Sequence, residues 1–451
     1  MLQVSQLYYS MLTRYNEFVV LKIPSALPLV SLIANQDEAN AFMAKKFKQI
    51  PAQAFYTAMA QLISRIIHDD KETALVVRGI LRRVLTKFPA QAMWPLAWLR
   101  QSRDTERLKI GDALFYDAER GLMKGPNQTL FKVLVASKSL FKFFQDLAKY
   151  PIKDHSIHAI NIKPWKGEVE LSEFIPPIQG ALSISMPSQE NARSRDLFPR
   201  QVPRMRAFHP KVTVMGSKAR PKKLRAVVIT VESRDRLGSS KTTNDIGEIH
   251  FLVKQEAKGD LRKDARVQDL NNVINRLMSS SNSSQKGSRN RGRHLHLRTF
   301  AVTCLSEETG LLEWVPKTES LRSLVCNSYN PQASPFSSKR RGRRLANFGD
   351  PMLRNNFEKK CQEMYFKTGN LTRAAALFEQ LCLKPYPPLL YWWFVQKYHD
   401  PHAWYEARTR FTLSAAAWSA VGHVIGLGDR HSDNILVDTS TGECVHVDFD
   451  W

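Results

Sequence analysis

The sequence predicts an α+β protein in which an all-α segment precedes a strand-rich lobe and a second, mostly helical lobe. Apolar residues recur at helical spacing up to about residue 150. Strand-like runs bounded by turn residues begin at residue 212, and helical spacing returns after about residue 356. A chain of 451 residues is long enough for about two or three domains.

The composition is that of a globular chain with a large positive charge. Hydrophobic residues make up 43% of the chain, and no run of about eighteen apolar residues predicts a membrane span. The formal net charge of +24 would attract nucleic acid, acidic proteins or anionic lipid. Basic runs at residues 286–293 and 339–344 leave three interpretations open: solvated loops, a nuclear-import signal, or nucleic-acid contact. The five cysteines are widely spaced, which favours a reducing compartment over a disulfide framework or a zinc site.

Residues 1–150 are predicted to be all helical. Apolar residues recur every three or four positions in residues 55–66, 77–88 and 140–147. Proline at position 51 and again at 89 falls where such helices would start or end. Successive amphipathic helices of this kind pack as a solenoid or bundle, although the sequence shows no strict repeat.

Residues 151–204 are rich in proline, serine and short apolar pairs, and they predict a linker or an irregular edge segment. The strand-rich lobe at 205–316 is expected to hold one helix, over residues 261–278. A Ser-, Asn-, Arg- and Gly-rich stretch at 279–293 predicts a disordered insertion. Strands are expected at residues 212–214, 224–231, 249–254, 295–305 and 310–315.

The densest group of chemically useful residues lies within 424–448. A Gly-Leu-Gly turn leads into Asp429, His431 and Asn434, and Asp448 follows further on. The two short apolar runs between Asn434 and Asp448 predict a β-hairpin. Such a hairpin would bring Asn434 and Asp448 to the same end.

These four side chains match the needs of phosphoryl transfer. Asp429 can accept the proton of an attacking hydroxyl, and His431 can donate to the phosphoryl group as charge spreads over it. Asn434 and Asp448 offer hard oxygen ligands of the kind that Mg²⁺ prefers. The motif therefore predicts a kinase in which Asp429 and His431 are catalytic and Asn434 and Asp448 bind the metal.

Upstream residues can address the phosphates of ATP. Lys254 ends a predicted strand, and Asp264 lies in the first turns of the next helix, where its carboxylate can keep the lysine charged and oriented. Ser217 lies in a turn between two strands that can cover phosphates, although a plain hairpin turn is the alternative. The chain has neither a G-x-G-x-x-G nor a G-x-x-x-x-G-K-[ST] sequence, which excludes the common protein-kinase glycine loop and the P-loop.

Trp314 and Val315 end the last predicted strand of the lobe, just before a proline. A segment that links two lobes can offer backbone groups to adenine and an indole face to stack on it. A tryptophan packed in the core is the alternative interpretation of Trp314. We predict that Trp314 and Val315 bind the adenine of ATP.

Longer phrases carry a resemblance to a known family. The order Asp-Arg-His, together with these phrases, resembles the phosphatidylinositol 3-kinase-related protein kinases, and among them the ATR-type DNA-damage checkpoint kinases. Residues 50–66 and 88–98 resemble the end of the helical-repeat FAT domain that precedes the kinase in that family. The phrases are GDLRKDARV at 259–267, HLHLRTFAV at 294–302, GLLEWVP at 310–316, DPHAWYEARTRF at 400–411, VGHVIGLGDRHSDNILVD at 421–438 and TGECVHVDFD at 441–450.

The resemblance implies a bilobal phosphatidylinositol-kinase-like fold with a β-rich N-lobe and a helical C-lobe, preceded by a FAT-like helical segment. It implies the same roles for the nine residues named above, with ATP and Mg²⁺, or Mn²⁺ as an alternative ion, as cofactors. The implied activity is phosphorylation of Ser or Thr followed by Gln, in the nucleus and away from membranes. A partner subunit would recruit such a kinase to protein-coated single-stranded DNA.

The family continues after the position of Asp448 into an activation loop, further helices and a FATC segment. The resemblance therefore implies that residues 317–451 are a partial C-lobe that is cut short, and that the chain is a truncated kinase. Two alternatives stay open. One is a phosphatidylinositol lipid kinase, which shares the Asp-Arg-His order, and the other is a catalytically dead fragment that acts as a basic interaction module.

Overall fold

The computed structural model describes residues 41, 44–126, 128–152, 154, 156–184, 198–199, 201–217, 219–232, 245–256, 260–283, 295–328, 351–383 and 388–449. The chain divides into two compact units, Met1–Leu270 with Phe300–Trp314 and Asn271–Thr299 with Val315–Trp451. The mixture of helices and antiparallel sheets confirms the predicted α+β class. The domain boundaries predicted from the sequence stay predictions. Both basic runs lie outside the described residues.

In the described part of the first unit, helices come before the sheet and bury their apolar stripes. The stripe over residues 55–66 is buried as predicted, but it is divided between two short helices instead of one. Asp70 caps α3 by accepting a hydrogen bond from Thr73 N at 2.7 Å, and Pro89 is the first residue of α4. The helices are α1 (Ala52–Tyr56), α2 (Met59–Ser64), α3 (Lys71–Lys87), α4 (Pro89–Leu96), α5 (Thr105–Met123) and α6 (Gln128–Lys149).

The first unit also contains a seven-stranded antiparallel sheet. Its order is β1-β3-β4-β5-β7-β6, and β2 also pairs with β4. A short helix α7 (Gln179–Leu182) precedes β2, and α8 (Arg262–Ser283) begins in this unit. The strands are β1 (Ala159–Asn161), β2 (Gln201–Phe208), β3 (Lys211–Val214), β4 (Lys222–Glu232), β5 (Asp245–Gln255), β6 (Val302–Cys304) and β7 (Thr309–Glu313).

The segment 151–204, predicted as a linker or an irregular edge, supplies the edge strand β1 and the start of β2. The predicted insertion at 279–293 begins too early, because α8 continues to Ser283; its remaining residues lie outside the described part of the chain. The prediction relied on the spacing of apolar residues and therefore ended the helix at residue 278. The polar residues that follow continue the helix to Ser283.

The predicted strand at 295–305 is wrong for most of its length, since only Val302–Cys304 pairs with a neighbouring strand. The physical reason is visible in the backbone before it. Leu297 N donates to Asn275 Oδ1 at 2.8 Å, and the side-chain nitrogen of Asn275 donates to Leu297 O at 2.7 Å. A side chain of α8 therefore satisfies backbone groups that a strand partner would otherwise take.

The second unit combines helices with a small sheet of order β10-β9-β8. Its described elements are β8 (Thr318–Ser320), α9 (Leu321–Ser328), α10 (Pro351–Thr368), α11 (Leu371–Phe378), a π-helical turn (Glu379–Leu383), α12 (Leu390–Lys397), α13 (Pro401–Ile425), β9 (Ile435–Asp438) and β10 (Cys444–His446). The β9–β10 hairpin confirms the prediction made from the two apolar runs, with Val437 opposite Cys444 and Ile435 opposite His446.

Helix α13 and the hairpin share a core. The indole of Trp418, which is fully buried, stacks on His446 with ring centroids 4.6 Å apart. At the hairpin turn, Gly442 has φ +77°, and a Cβ at this position would lie 2.5 Å from the carbonyl oxygen of Ala407 in α13. The turn is therefore packed directly against the helix backbone, which leaves room only for glycine.

Three of the described cysteines are buried: Cys304 in the first unit, and Cys361 and Cys444 in the second. Cys304 is 6% exposed and Cys444 is 1% exposed. Burial raises the pKa of the Cys304 thiol, and it raises the pKa of the Cys444 thiol to about 12. Within the described residues, no helix is both long and apolar enough to cross a membrane.

Candidate active site

The loop between α13 and β9 positions the catalytic residues predicted from the sequence. Asp400 caps the start of α13 by accepting from Ala403 N at 2.8 Å, and Gly426 ends the helix in a left-handed conformation with φ +67°. The chain then turns through residues 427–434 before it enters β9. Asp429 itself has a backbone φ of +54°, in the left-handed region that residues other than glycine rarely adopt.

The structure brings Asp429, His431 and Asn434 together. Asn434 Nδ2 donates to the backbone oxygen of Asp429 and to its Oδ2, both at 3.1 Å. Asp433 N donates to His431 Nδ1 at 3.3 Å, so the ring proton of a neutral His431 lies on Nε2, which is 3.7 Å from Asp429 Oδ1. The imidazole therefore presents a donor beside the carboxylate that is predicted to be the base.

Asp448 follows β10 and is held close to the same loop. Val447 N donates to Asn434 O at 3.0 Å, which continues the hairpin pairing up to the residue before Asp448. Asp448 has φ +55°, a second left-handed aspartate in the same unit. The hairpin thus places the backbones of Asn434 and Asp448 at one end, as the sequence predicted.

The donor set can be tested against the ion that the sequence predicts. Because the Asn434 nitrogen is used on Asp429, its Oδ1 is the atom available to a cation. An amide oxygen and the carboxylate of Asp448 are hard ligands that suit Mg²⁺, an ion that keeps several waters and needs few protein ligands. Among the described residues, no group of three or more His, Cys, Asp or Glu side chains can hold a metal ion. The residues present fit a sparse Mg²⁺ site and not a zinc-type cluster.

Sequence reasoning missed Arg430, which lies between the two predicted catalytic residues. Its Nε donates to Gly428 O at 2.7 Å and its Nη1 donates to Val447 O at 3.0 Å. Its Nη2 donates to the backbone oxygen of Asp448. In the sequence, only the Asp-Arg-His order points to this residue. Its hydrogen-bond acceptors are backbone carbonyls, which every residue has, so they leave no pattern in a sequence.

His446 lies beside this group on the buried side. Burial lowers its pKa to about 4, and the nearby Arg430 guanidinium acts in the same direction. The imidazole is therefore neutral near pH 7 and packs as an aromatic ring on Trp418.

In the first unit, Lys254 and Asp264 are both buried, at 9% and 6% exposure. Lys254 is in β5, opposite Gly310 of β7, and Asp264 is in the first turn of α8. Lys254 forms an ion pair with Glu256, two residues further along. The sequence reasoning did not single out Glu256, although side chains two residues apart point to the same side of a strand.

The other predicted ATP-binding residues have distinct surroundings. Ser217 is exposed in the turn between β3 and β4, and its carbonyl accepts from Arg220 N at 3.0 Å. Trp314 N donates to His250 O at 3.0 Å, and the ammonium of Lys223 lies 3.7 Å from the centre of the Trp314 ring. In the second unit, Val315 is buried and its carbonyl accepts from Thr318 Oγ1 at 2.8 Å.

Comparison with known proteins gives two family matches. Residues 249–451 match the family described as Phosphatidylinositol 3- and 4-kinase. Residues 38–138 match the family described as Serine/threonine-protein kinase ATR-like, HEAT repeats. Together the matches cover both the helical segment and the part of the chain that holds Lys254, the Asp-Arg-His loop and the hairpin.

Two curated relatives illustrate the similarity. The Serine/threonine-protein kinase ATR of Arabidopsis thaliana is 31% identical over 410 residues, which cover 89% of this chain and 14% of that protein. The protein kinase rad3 of Schizosaccharomyces pombe is 27% identical over 422 residues, covering 91% of this chain and 16% of that protein. The chain thus spans only a small part of the length of either relative.

A solved structure, the open conformation of CtTel1, matches with a TM-score of 0.66 at 22% identity and covers 94% of this chain and 14% of that one. The likeness confirms the predicted fold: a phosphatidylinositol-kinase-like kinase region preceded by a helical segment. The family matches and the relatives confirm the resemblance seen in the sequence phrases. The chain belongs to the phosphatidylinositol 3-kinase-related protein kinase family, and its relatives are kinases of the ATR type.

Proposed function

We propose that this chain is the catalytic part of a serine/threonine protein kinase that transfers the γ-phosphate of ATP in DNA-damage checkpoint signalling. The observation that carries the proposal is the contact between Asp429 and Asn434, with the Nε2 proton of His431 beside it. A carboxylate, an imidazole N–H donor and an amide oxygen in one loop are the groups that phosphoryl transfer uses.

Each residue of the loop has a proposed task. The Asp429 carboxylate accepts the proton of the attacking Ser or Thr hydroxyl. The His431 Nε2–H donates to an oxygen of the transferring phosphoryl group, where negative charge spreads in the transition state. Asn434 and Asp448 would hold Mg²⁺, or Mn²⁺ in its place. When bound, the ion neutralises phosphate charge.

The first unit supplies the proposed phosphate contacts. Lys254, which Glu256 orients, would pair with phosphate oxygens, and Asp264 would help to keep the lysine charged. The turn that carries Ser217 would cover the phosphates. Trp314 and, in the second unit, Val315 would bind adenine.

The proposed substrates are proteins with Ser or Thr followed by Gln. A partner subunit would recruit the kinase, in the nucleus, to protein-coated single-stranded DNA, with no membrane involved. The support is the similarity to proteins named ATR and rad3, which are named as protein kinases.

The test is transfer of labelled phosphate from ATP by the full chain in the presence of Mg²⁺. Three acceptors are compared: a Ser-Gln peptide, the same peptide with Ser-Ala, and phosphatidylinositol vesicles. We expect transfer to the Ser-Gln peptide, and we expect Asp448→Ala to abolish it. Full transfer by the Asp448→Ala variant would disprove the role of Asp448.

The same assay separates the alternatives. Transfer to the vesicles alone would identify a lipid kinase. If the chain transfers no phosphate, and Lys254→Ala and Asp448→Ala both preserve its cellular role, a basic interaction module is the better description.

A further inference from the structure

Arg430 binds backbone oxygens in two separate segments of the chain. The Nε–H of its guanidinium reaches Gly428 O in the catalytic loop at 2.7 Å. Its two terminal nitrogens reach the carbonyl oxygens of Val447 and Asp448, which follow β10. The guanidinium carbon also lies 5.3 Å from the centre of the Phe449 ring. One side chain therefore joins the loop that carries Asp429 to the segment that carries Asp448.

The two acceptors after β10 flank the α-carbon of Asp448. The carbonyl of Val447 belongs to the peptide plane that defines φ of Asp448, and the carbonyl of Asp448 belongs to the plane that defines ψ. A planar fork that binds both oxygens at once fixes both dihedral angles. The direction of the Asp448 carboxylate depends on those two angles.

The conformation that is fixed is an uncommon one. Asp448 has φ +55°, where the Cβ is crowded and where few residues other than glycine lie. Such conformations persist when surrounding contacts determine them, and they cluster at functional sites. Arg430 supplies contacts of that kind on both sides of Asp448.

We propose that Arg430 is a positioning residue that holds Asp448 in its left-handed conformation and so aims its carboxylate at the metal. This inference rests on the proposed function, in which Asp448 binds Mg²⁺. Lysine does not replace arginine here, because an ammonium is a single point of donation and does not span two carbonyls with one rigid plane.

The test measures binding of the fluorescent nucleotide mant-ATP to the full chain over a series of Mg²⁺ concentrations. We expect Arg430→Lys to raise the Mg²⁺ concentration at half-maximal binding by about 10- to 100-fold, the range found when residues that orient metal ligands are removed. The matched control is Arg410→Lys. Arg410 is an exposed arginine of the same unit that pairs with Glu406, and its replacement should leave the midpoint unchanged.

A chemical rescue separates positioning from general damage to the fold. Guanidinium ion at concentrations too low to unfold the chain should lower the Mg²⁺ midpoint of Arg430→Ala, and methylammonium should not. Circular dichroism shows whether each variant is folded. If Arg430→Lys does not fold, Arg430→Gln, which keeps a planar end group, takes its place in the titration.

The outcomes are distinct for the two proposals. If wild-type chain shows no Mg²⁺-dependent mant-ATP binding, the proposed function fails and this inference fails with it. If Asp448→Ala loses the Mg²⁺ dependence while folded Arg430→Lys keeps the wild-type midpoint, the function stands and the role of Arg430 is overturned. Absence of rescue by guanidinium in folded Arg430→Ala also counts against it.

Discussion

At the scale of single residues, two aspartates occupy backbone conformations that are usually left to glycine. Asp429 and Asp448 have φ +54° and +55°. Aspartate and asparagine tolerate this region better than other residues because their short polar side chains can bond locally. Chemistry and conformation therefore select the same residue type at both positions. Substitutions that test the chemistry should keep the shape, which asparagine does better than alanine.

For Asp429, we expect the asparagine variant to lose phosphate transfer by about 100-fold or more, because an amide does not accept the hydroxyl proton. The fold should persist, since the Asn434 side chain still has an oxygen to donate to. Rates with a Ser-Gln peptide measure the effect. Asp433→Asn is the control, because the Asp433 side chain pairs with Arg322 at 3.2 Å in an exposed position. A folded Asp429→Asn variant with wild-type rates would exclude Asp429 as the base.

His446 gives a prediction about pH. Burial lowers its pKa from 6.5 to about 4, so between these values the unfolded chain binds a proton that the folded chain does not. Stability is therefore highest above pH 6.5 and falls as the pH drops towards about 4, by at most about 3 kcal/mol.

Hydrogen exchange of β10 amides, measured in EDTA and corrected for intrinsic rates, should follow this decline. His446→Phe should show a flatter pH dependence, because phenylalanine keeps the ring but has no proton to bind. The control is His402→Gln on exposed α13 surface, which should behave as wild type. Equal slopes for wild type and His446→Phe would show that this imidazole is not responsible.

At the scale of elements, the β9–β10 hairpin depends on its contact with α13. Cys444 N donates to Ser414 Oγ at 2.8 Å, so a helix side chain satisfies a strand backbone group. Trp418 covers the same hairpin through His446. The hairpin that carries the proposed metal ligands is thus held in place by its contacts with α13.

Gly442 is the point where that packing is tightest. We expect Gly442→Ala to destabilise the hairpin by about 2–3 kcal/mol, because it adds backbone strain and a Cβ against the Ala407 oxygen. Gly369→Ala is the matched control: Gly369 also has positive φ, at +59°, but nothing lies within 4 Å of its added Cβ, so it should lose only about 1 kcal/mol. The measurement is the free energy of opening of β9 and β10, obtained from hydrogen exchange of their amides. Equal losses in Gly442→Ala and Gly369→Ala would contradict the close contact at Gly442.

At the scale of the whole molecule, the sequence predicted what is local and missed what is not. Asp429, His431 and Asn434 lie within six residues, and one hairpin connects them to Asp448. Strand-like apolar runs located β3, β4, β5 and β7 of the first unit, whereas β1 and β2 were not predicted. The roles assigned to these residues stay predictions.

The errors have a common cause. Residues 295–301 look like a strand, yet Leu297 N and Phe300 N donate to side chains of α8, those of Asn275 and Gln268. Two-residue spacing is compatible with the pairing of Lys254 with Glu256 but does not single it out. The contacts of Arg430 do not follow from spacing at all, because they depend on which backbone groups the fold brings within reach. Backbone acceptors in particular are the same at every position of a sequence.

Nucleotide binding should stabilise the whole chain. A non-hydrolysable ATP analogue with Mg²⁺, at about 100 times its dissociation constant, should add about 2.7 kcal/mol to the free energy of unfolding. Lys254→Ala should remove most of this gain at the same analogue concentration, because the variant lacks the ammonium that is proposed to pair with the phosphates. Thermal unfolding with and without Mg²⁺ measures it, with Lys109→Ala, an exposed lysine of α5, as control. An undiminished gain in Lys254→Ala would remove this lysine from the site.

Two of the buried thiols, those of Cys304 and Cys444, can report when the chain opens locally. Alkylating reagents attack thiolates that they can reach, and neither Cys304 nor Cys444 offers one while its surroundings are folded. Because Cys304 belongs to the first unit and Cys444 to the second, mass spectrometry of peptides from pulse-alkylated chain would time the opening of the seven-stranded sheet and of the β9–β10 hairpin separately. If a ligand slows the alkylation of one cysteine at a lower concentration than the other, the unit that holds that cysteine is the one that the ligand stabilises first.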